Sequence, residues 1–226
     1  MCGRYTLRRV SLARAVLEAT PTFPFEEFSE QVRYNVAPSQ LIPVARMDEQ
    51  GKRVLDLARW GFIPAWAKSP PKFQPINARA ETLATSGMFR TAFDRRRCLI
   101  PADGFYEWKA DAGKKSKQPY FIHFKDDRPF AFAGLWERWK ADEKAEPVET
   151  CTIVTTTPNQ LMEPIHNRMP AIIQPADFER WLNPKVSGTA VRDLLAPIEA
   201  DDLEAYPVET RVNRPTNDGP ALVERA

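Results

Sequence analysis

The sequence predicts an α+β fold: one domain with a curled, barrel-like antiparallel β core and short peripheral helices. Three observations predict it. Short runs rich in β-branched and aromatic residues fill the stretch from residue 41 to residue 173. Prolines are spread along the whole chain, 21 in 226 residues, which disfavours long helices and long uninterrupted central strands alike. No strand–helix–strand alternation occurs, so a parallel sheet with crossover helices is not indicated. The length fits one domain with a real core. Residues 1–226 are therefore read as a single domain, the acidic segment from about 199 to 226 included.

In chain order, Ser11 is placed to cap a helix over Leu12–Ala19. Leu41–Met47 and Val54–Trp60 read as strands. Asn77–Thr85 and Met88–Phe93 read as short helices. Arg97–Ala102, Phe105–Lys109, Tyr120–Lys125 and Phe130–Trp136 are strands, and Asp126–Asp127 marks a turn joining the last two into a hairpin. Thr152–Thr156 and Met169–Ile173 complete the strand set. Pro175 suits the first turn of a helix over Ala176–Leu182, and Thr189–Leu195 follows with helical periodicity. The polar segments Ala110–Gln118 and Asp142–Glu149 read as solvated loops.

Composition narrows the function classes. With 43% hydrophobic and 27% charged residues the chain reads as an ordinary soluble protein. No apolar run approaches the roughly 18 residues of a membrane span, and the N-terminus lacks the pattern of a signal peptide. A cytoplasmic protein with no membrane association is expected, nucleoid-associated if the host is bacterial. Cys2, Cys98 and Cys151 are scattered, and only His123 and His166 could join them, so neither a zinc site nor a disulfide framework is indicated. No GxGxxG or GxxxxGK[ST] is present; no cofactor and no metal are expected. The net charge of +2 hides an asymmetry: residues 199–226 carry −4, leaving +6 on the rest. That balance is consistent with a basic groove, though many proteins show it.

Four short segments carry chemistry. Met1-Cys2-Gly3-Arg4 would, after removal of the methionine, present Cys2 with a free α-amine beside its thiol; a surface cysteine that happens to come second is the plain alternative. An α-amine with a pKa of about 7.7–8.0 is roughly a quarter neutral at pH 7.5, against about 0.1% for lysine. Only the neutral amine attacks an aldehyde, and the vicinal thiol can then close on the imine carbon to give a five-membered thiazolidine. In Pro75–Thr82, Asn77 and Arg79 lie two apart and share a face if that stretch is extended, or form a cap and a solvated charge if it is not. In Ile100–Trp108, Asp103-Gly104 marks a turn, and Glu107 either points to solvent or, desolvated in a pocket, gains a raised pKa suited to proton transfer. In Ile165–Pro170, His166 with Arg168 two residues on could act on a phosphodiester-linked sugar or be structural.

These segments, taken with Tyr34-Asn35-Val36-Ala37-Pro38, Trp60-Gly61-Phe62-Ile63-Pro64, Cys98-Leu99-Ile100-Pro101 and His166-Asn167-Arg168-Met169-Pro170, resemble in order the SOS response-associated peptidase family, which processes abasic sites in DNA. The resemblance runs from residue 2 to about residue 213. It implies that Cys2, after removal of the methionine, traps the ring-opened sugar of an abasic site as a thiazolidine crosslink. It further implies that Asn77 orients Cys2 and the sugar, that Glu107 manages protons during imine formation, and that His166 assists ring opening and crosslink reversal.

For DNA contacts the same resemblance points to Arg4, Arg79, Arg90 and Arg168 on phosphates and to Trp66, Met88 and Phe89 as stacking or wedging groups. Asn35, Pro38 and Thr155 join that set. The partner implied is single-stranded DNA containing abasic sites, single-strand/duplex junctions included, bound by a monomer. The peptidase activity in the family name is read as restricted to self-processing that exposes Cys2. Two other functions stay open on the residues alone. A general cysteine peptidase would pair Cys2 with His166, and a passive single-strand binder would rely on the arginines and aromatics alone.

Overall fold

The computed structural model describes every residue except Met1, Asp111, Ala112, Lys114 and Lys115. Its strands run in chain order as β1 (Arg4–Leu7), β2 (Thr20–Pro21), β3 (Arg33–Val36), β4 (Leu41–Met47), β5 (Arg53–Trp60), β6 (Asn77–Arg79) and β7 (Arg97–Ala102), then β8 (Gly104–Lys109), β9 (Gln118–Phe124), β10 (Phe130–Trp139), β11 (Val148–Thr156), β12 (Met169–Pro170), β13 (Ile172–Ile173) and β14 (Leu203–Pro207). The α-helices are α1 (Val10–Leu17), α2 (Phe25–Ser29), α3 (Arg90–Arg95) and α4 (Phe178–Leu182).

The curled antiparallel core expected from the sequence is present, and it closes. Strands β11, β10, β7, β4 and β5 pair antiparallel in that order, and β5 then meets β11 in parallel through Arg59↔Thr150 and Trp60↔Cys151. An odd number of strands that alternate in direction cannot close on antiparallel pairs alone, so one parallel pair is required. Strands β2, β6, β12 and β13 extend the barrel at its margins. A second, all-antiparallel sheet has the order β14-β9-β8-β1-β3.

Aromatic packing joins the two sheets. Tyr5 of β1 meets Trp60 and Phe132 of the barrel edge-on, with ring centroids 5.5 and 5.8 Å apart. Successive residues of β8 face opposite sides. Phe105 therefore enters the main core, while Tyr106 enters a smaller cluster with Phe121, Val208, Val212 and Leu222. Gly104 is needed where β1, β8 and β9 converge: a Cβ there would lie 2.3 Å from the Phe121 ring and 2.9 Å from Thr6 Oγ1.

Several expected elements take a different form. Helix α1 begins at Val10, with no capping side chain of its own, and Ser11 sits inside it. The buried Asp103 carboxylate serves this end instead, accepting from the backbone N–H groups of Arg8 and Arg9. The segment from Asn77 is extended rather than helical, because β6 pairs with β11 and the ladder outweighs the helix preference of its alanines; a 3-10 turn, Ala80–Thr82, follows. Asp126–Asp127 does turn, with Asp127 at φ 60°, but the strands it links belong to different sheets and do not pair. Ala171 splits the run Met169–Ile173, its N–H bonding to Val154 and its carbonyl accepting from Ala133. Gly188–Leu195 is a 3-10 helix, and Asp142–Glu149 yields its last two residues to β11. Part of Ala110–Gln118 lies outside the described residues.

Candidate active site

Cys2 stands just ahead of β1, the strand that the sequence analysis did not identify. Arg4 faces Tyr106 across the antiparallel pair, so one further step brings Gly3 alongside Glu107. Cys2 is fully buried. Its thiol points to the Arg4 carbonyl at 3.8 Å, and its own carbonyl accepts from the Asn77 side-chain amide at 2.9 Å. Asn77 is fixed by the parallel pairing Ile153↔Asn77, so a barrel strand holds the N-terminal segment by one side chain. The Asn77 Oδ1 is buried with no hydrogen-bond partner among the described residues.

Glu107 is 1% exposed, which answers the question of which way it faces. Burial raises its carboxyl pKa above the ordinary value, with the positive N-terminal charge acting against the rise. Burial and then the neighbouring Glu107 charge push the Cys2 thiol well above the ordinary thiol range. At neutral pH Cys2 therefore carries S–H, not thiolate.

His166 follows a tight turn in which Asn159 accepts from Met162 through both its carbonyl and its side chain. The backbone N–H of Arg168 approaches His166 Nδ1 at 3.0 Å. The Arg168 carbonyl lies 3.2 Å from the same nitrogen, so Nδ1 accepts from the Arg168 N–H in one tautomer and donates to its carbonyl in the other. Burial lowers the His166 pKa, and the positive N-terminal charge lowers it further. At pH 7 the site therefore holds a neutral imidazole.

His166 lines an open cleft of about 610 Å³ together with Arg79, Glu81, Thr82, Asn167 and Arg168. Arg168 is clamped there: its guanidinium donates to both oxygens of Glu81 at 2.6 and 2.9 Å and to the Thr155 carbonyl at 2.5 Å. Hydrogen bonding from Arg168 holds the Glu81 carboxyl below its ordinary pKa. Arg79 is exposed and lies two residues from Asn77 on β6.

The other expected DNA contacts are scattered in character. Trp66 is exposed, as is Arg90 at the start of α3. Pro38 and Arg4 are half-buried, and Arg4 donates to the Gly3 carbonyl. Met88 and Phe89 are half-buried against the core, Phe89 with its ring 5.2 Å from Phe62. Two residues of that set are buried. Asn35 is buried, and its amide is spent on the carbonyls of Val212, Arg214 and Asn217, which tether the C-terminal segment. Thr155 is fully buried, its hydroxyl bonded to Ala78.

Asp103 was taken from the sequence only as a turn residue. It is fully buried, and it accepts from Thr6 Oγ1 at 2.6 Å and Arg8 Nε at 2.8 Å besides the two backbone groups. It thus anchors the far end of the strand that begins beside Cys2. Among the described residues no cluster of His, Cys, Asp and Glu could hold a metal ion, and no helix is long and apolar enough to cross a membrane.

The arrangement sets a residue with an amine-bearing position and an adjacent thiol beside an amide that fixes it and an acid of raised pKa. An open cleft with a neutral histidine and an exposed arginine lies close by. Such a set can condense an amine with a carbonyl and move the protons that condensation needs.

The family model for SOS response associated peptidase (SRAP) matches residues 1–215. The abasic site processing protein YoqW of Bacillus subtilis is 45% identical over 230 residues, covering 99% of each chain. The abasic site processing protein YedK of Escherichia coli is 32% identical over 231 residues, again covering 99% of each. A crystal structure of a protein from Bacteroides thetaiotaomicron superposes with a TM-score of 0.87 at 27% identity, covering the whole of both chains.

Proposed function

This chain belongs to the SOS response associated peptidase family, and we propose that it processes abasic sites in single-stranded DNA by capturing them covalently on Cys2. The observation that carries this reading is the placement of Cys2: its carbonyl is held by Asn77 at 2.9 Å, and the strand it precedes pairs Arg4 with Tyr106, the neighbour of Glu107.

The chemistry follows from the groups present. Removal of Met1 frees the α-amine of Cys2. The abasic sugar opens to its aldehyde as neutral His166 takes the anomeric hydroxyl proton and, as the imidazolium so formed, returns a proton to the ring oxygen. The neutral amine adds to the aldehyde carbon, forming a C–N bond and a carbinolamine. Protonated Glu107 gives its proton to the departing hydroxyl, which leaves as water, and its carboxylate takes back the nitrogen proton, so that the C=N bond of an imine results. The Cys2 S–H then adds across that bond: sulfur bonds to carbon, its proton goes to nitrogen, and a thiazolidine closes. One water is lost overall and nothing is oxidised or reduced. A thiol held as S–H is suited to the last step and poorly suited to a peptidase that needs a thiolate. We accordingly restrict the family's peptidase activity to exposure of Cys2.

The test is a denaturing gel of protein lacking Met1 with an abasic single-stranded oligonucleotide. Wild type is expected to give a heat-stable adduct without reductant. Cys2→Ala keeps an α-amine but lacks sulfur, so it should stop at an imine that survives heat only after borohydride reduction. An equally stable unreduced adduct from Cys2→Ala would mean that no thiazolidine forms. Salt-sensitive binding with no adduct from wild type would leave a passive binder. Cleavage of unrelated peptides would reinstate a general peptidase.

A further inference from the structure

The segment from Gly61 to Ile76 connects β5 to β6 and has no regular structure, yet it is pinned at several points. Its ends are tied by the Phe62 N–H to the Pro75 carbonyl at 3.0 Å, and Ile63 N–H bonds to Thr150 Oγ1. Its outer part is held by Trp139, whose indole N–H donates to the Ala67 carbonyl at 2.6 Å. On this fixed support stand the two most exposed large hydrophobic side chains among the described residues, Trp66 at 69% and Phe73 at 77%. Exposed Lys68 and Lys72 are interleaved with them. Single exposed apolar residues are ordinary. Two exposed aromatics on one pinned loop, alternating with lysines, are a stacking platform with counter-charge, and unpaired bases on a phosphate backbone are its chemical complement.

We propose that Phe73, with Lys72 beside it, forms a second strand-binding subsite that takes an unpaired base flanking the reacting nucleotide. The proposal rests on the functional reading above and deepens it. Covalent distance sets the reach. Phe73 is four residues from Asn77, so their Cα atoms are no more than about 15 Å apart. At about 3.4 Å per stacked nucleotide, the base on Phe73 lies within about four nucleotides of the lesion. The subsite gives length dependence: a strand must extend past the abasic site to use it.

The experiment compares wild type, Phe73→Ala, Phe73→Trp, Lys72→Ala and a control, Leu12→Ala, whose leucine is exposed on α1 far along the chain. Each is titrated with a fluorescein-labelled undamaged single strand of about fifteen nucleotides, and each is mixed at sub-saturating concentration with the abasic form of that strand. Phe73→Ala should bind about 5- to 150-fold more weakly, the range expected for one lost base–aromatic stack. Phe73→Trp should restore binding, Lys72→Ala should lower the salt slope by about 0.7, and Leu12→Ala should match wild type. As the abasic strand is trimmed toward the lesion, the advantage of wild type over Phe73→Ala should vanish at the length that removes the stacked base, no more than about four nucleotides from the lesion. Wild-type affinity in Phe73→Ala overturns the subsite while leaving crosslinking intact. A dimer of wild type that Phe73→Ala dissociates, with no change in DNA binding, overturns it in favour of a second copy of this chain. Absence of any wild-type crosslink strikes at the functional reading and not at the strand titration.

Discussion

Asn77 donates its side-chain amide to the Cys2 backbone carbonyl at 2.9 Å, and this one contact links the barrel edge to the start of the second sheet. The hydrogen bond itself contributes only about 0.5–1.5 kcal/mol to stability. Its larger consequence is positional, because a misplacement of about 1 Å at a reacting group can cost about 10²-fold. Asn77→Ala should therefore lower the single-turnover crosslinking rate by about 10²-fold, while its melting temperature falls by only a few degrees. A rate within twofold of wild type would show that Cys2 is held by other means.

Asp103 makes a prediction of the opposite kind. It binds Thr6, Arg8 and Arg9 from a fully buried position, and removing one partner of such a set leaves the others unsatisfied at a cost of about 3–5 kcal/mol. For a chain of this size each kcal/mol shifts the melting temperature by about 2–4 °C. Asp103→Ala should melt roughly 6–20 °C below wild type, and crosslinking should decline in step with the folded fraction. A small shift in melting with a large loss of rate would move Asp103 from the scaffold into the chemistry.

The contrast between these two residues shows what the sequence could reveal. The strands of the barrel were legible because apolar runs are buried in the interior, Arg97–Ala102 along its length and Leu41–Met47 from Ile42 to Ala45. Strand β1 was missed because Arg4-Tyr5-Thr6-Leu7 is short and mixed, and its stability comes from neighbours distant in sequence. The segment from Asn77 looked helical by local preference and became extended through pairing with β11. Motif spacing drew attention to Cys2, Asn77, Glu107 and His166, but no local pattern marks Asp103 as a buried anchor, since its partners Thr6 and Arg8 lie nearly a hundred residues away. The burial of Asn35 and Thr155 is likewise a property that alternating polarity alone does not encode.

Glu107 combines catalysis with a stability cost. Its folded-state pKa lies above the ordinary carboxyl value of about 4.3. The folded protein therefore holds its proton to higher pH than the unfolded chain does. The associated stability is fully present below about pH 4.3 and is lost as pH rises through the raised value. Glu107→Gln should accordingly melt above wild type at pH 7.5, with the difference closing toward pH 4. Its crosslinking rate should fall by about 10²–10⁴. Wild-type rates should rise with the neutral amine and then fall once Glu107 has lost its proton, whereas the Gln variant should rise and level off. An unchanged profile in Glu107→Gln would take the carboxyl out of the proton chemistry.

His166 carries the last prediction. The closed abasic sugar has no aldehyde until its ring oxygen gains a proton, and the thiazolidine cannot release DNA until its sulfur does. His166 can relay protons in both events, taking one as the neutral ring and returning one, as the imidazolium so formed, to the departing oxygen or sulfur. Nδ1 lies 3.0 Å from the Arg168 N–H and 3.2 Å from the Arg168 carbonyl, so the neutral ring is held by Arg168 in either tautomer. Its lowered pKa keeps that form dominant through neutrality, so neither rate should show a His166 titration between pH 7 and 8. The imidazolium should form only below the ordinary histidine value of about 6.5. His166→Ala should slow crosslink release by about 10²–10⁴ and formation by no more than that. His166→Gln can still donate a hydrogen bond but cannot transfer a proton to sulfur, so it should rescue binding of the sugar and not release. Single-turnover formation and release, measured for both variants beside wild type, decide the matter. Normal release from His166→Ala would remove the histidine from the mechanism and leave the clamp between Arg168 and Glu81 as the reason for that turn.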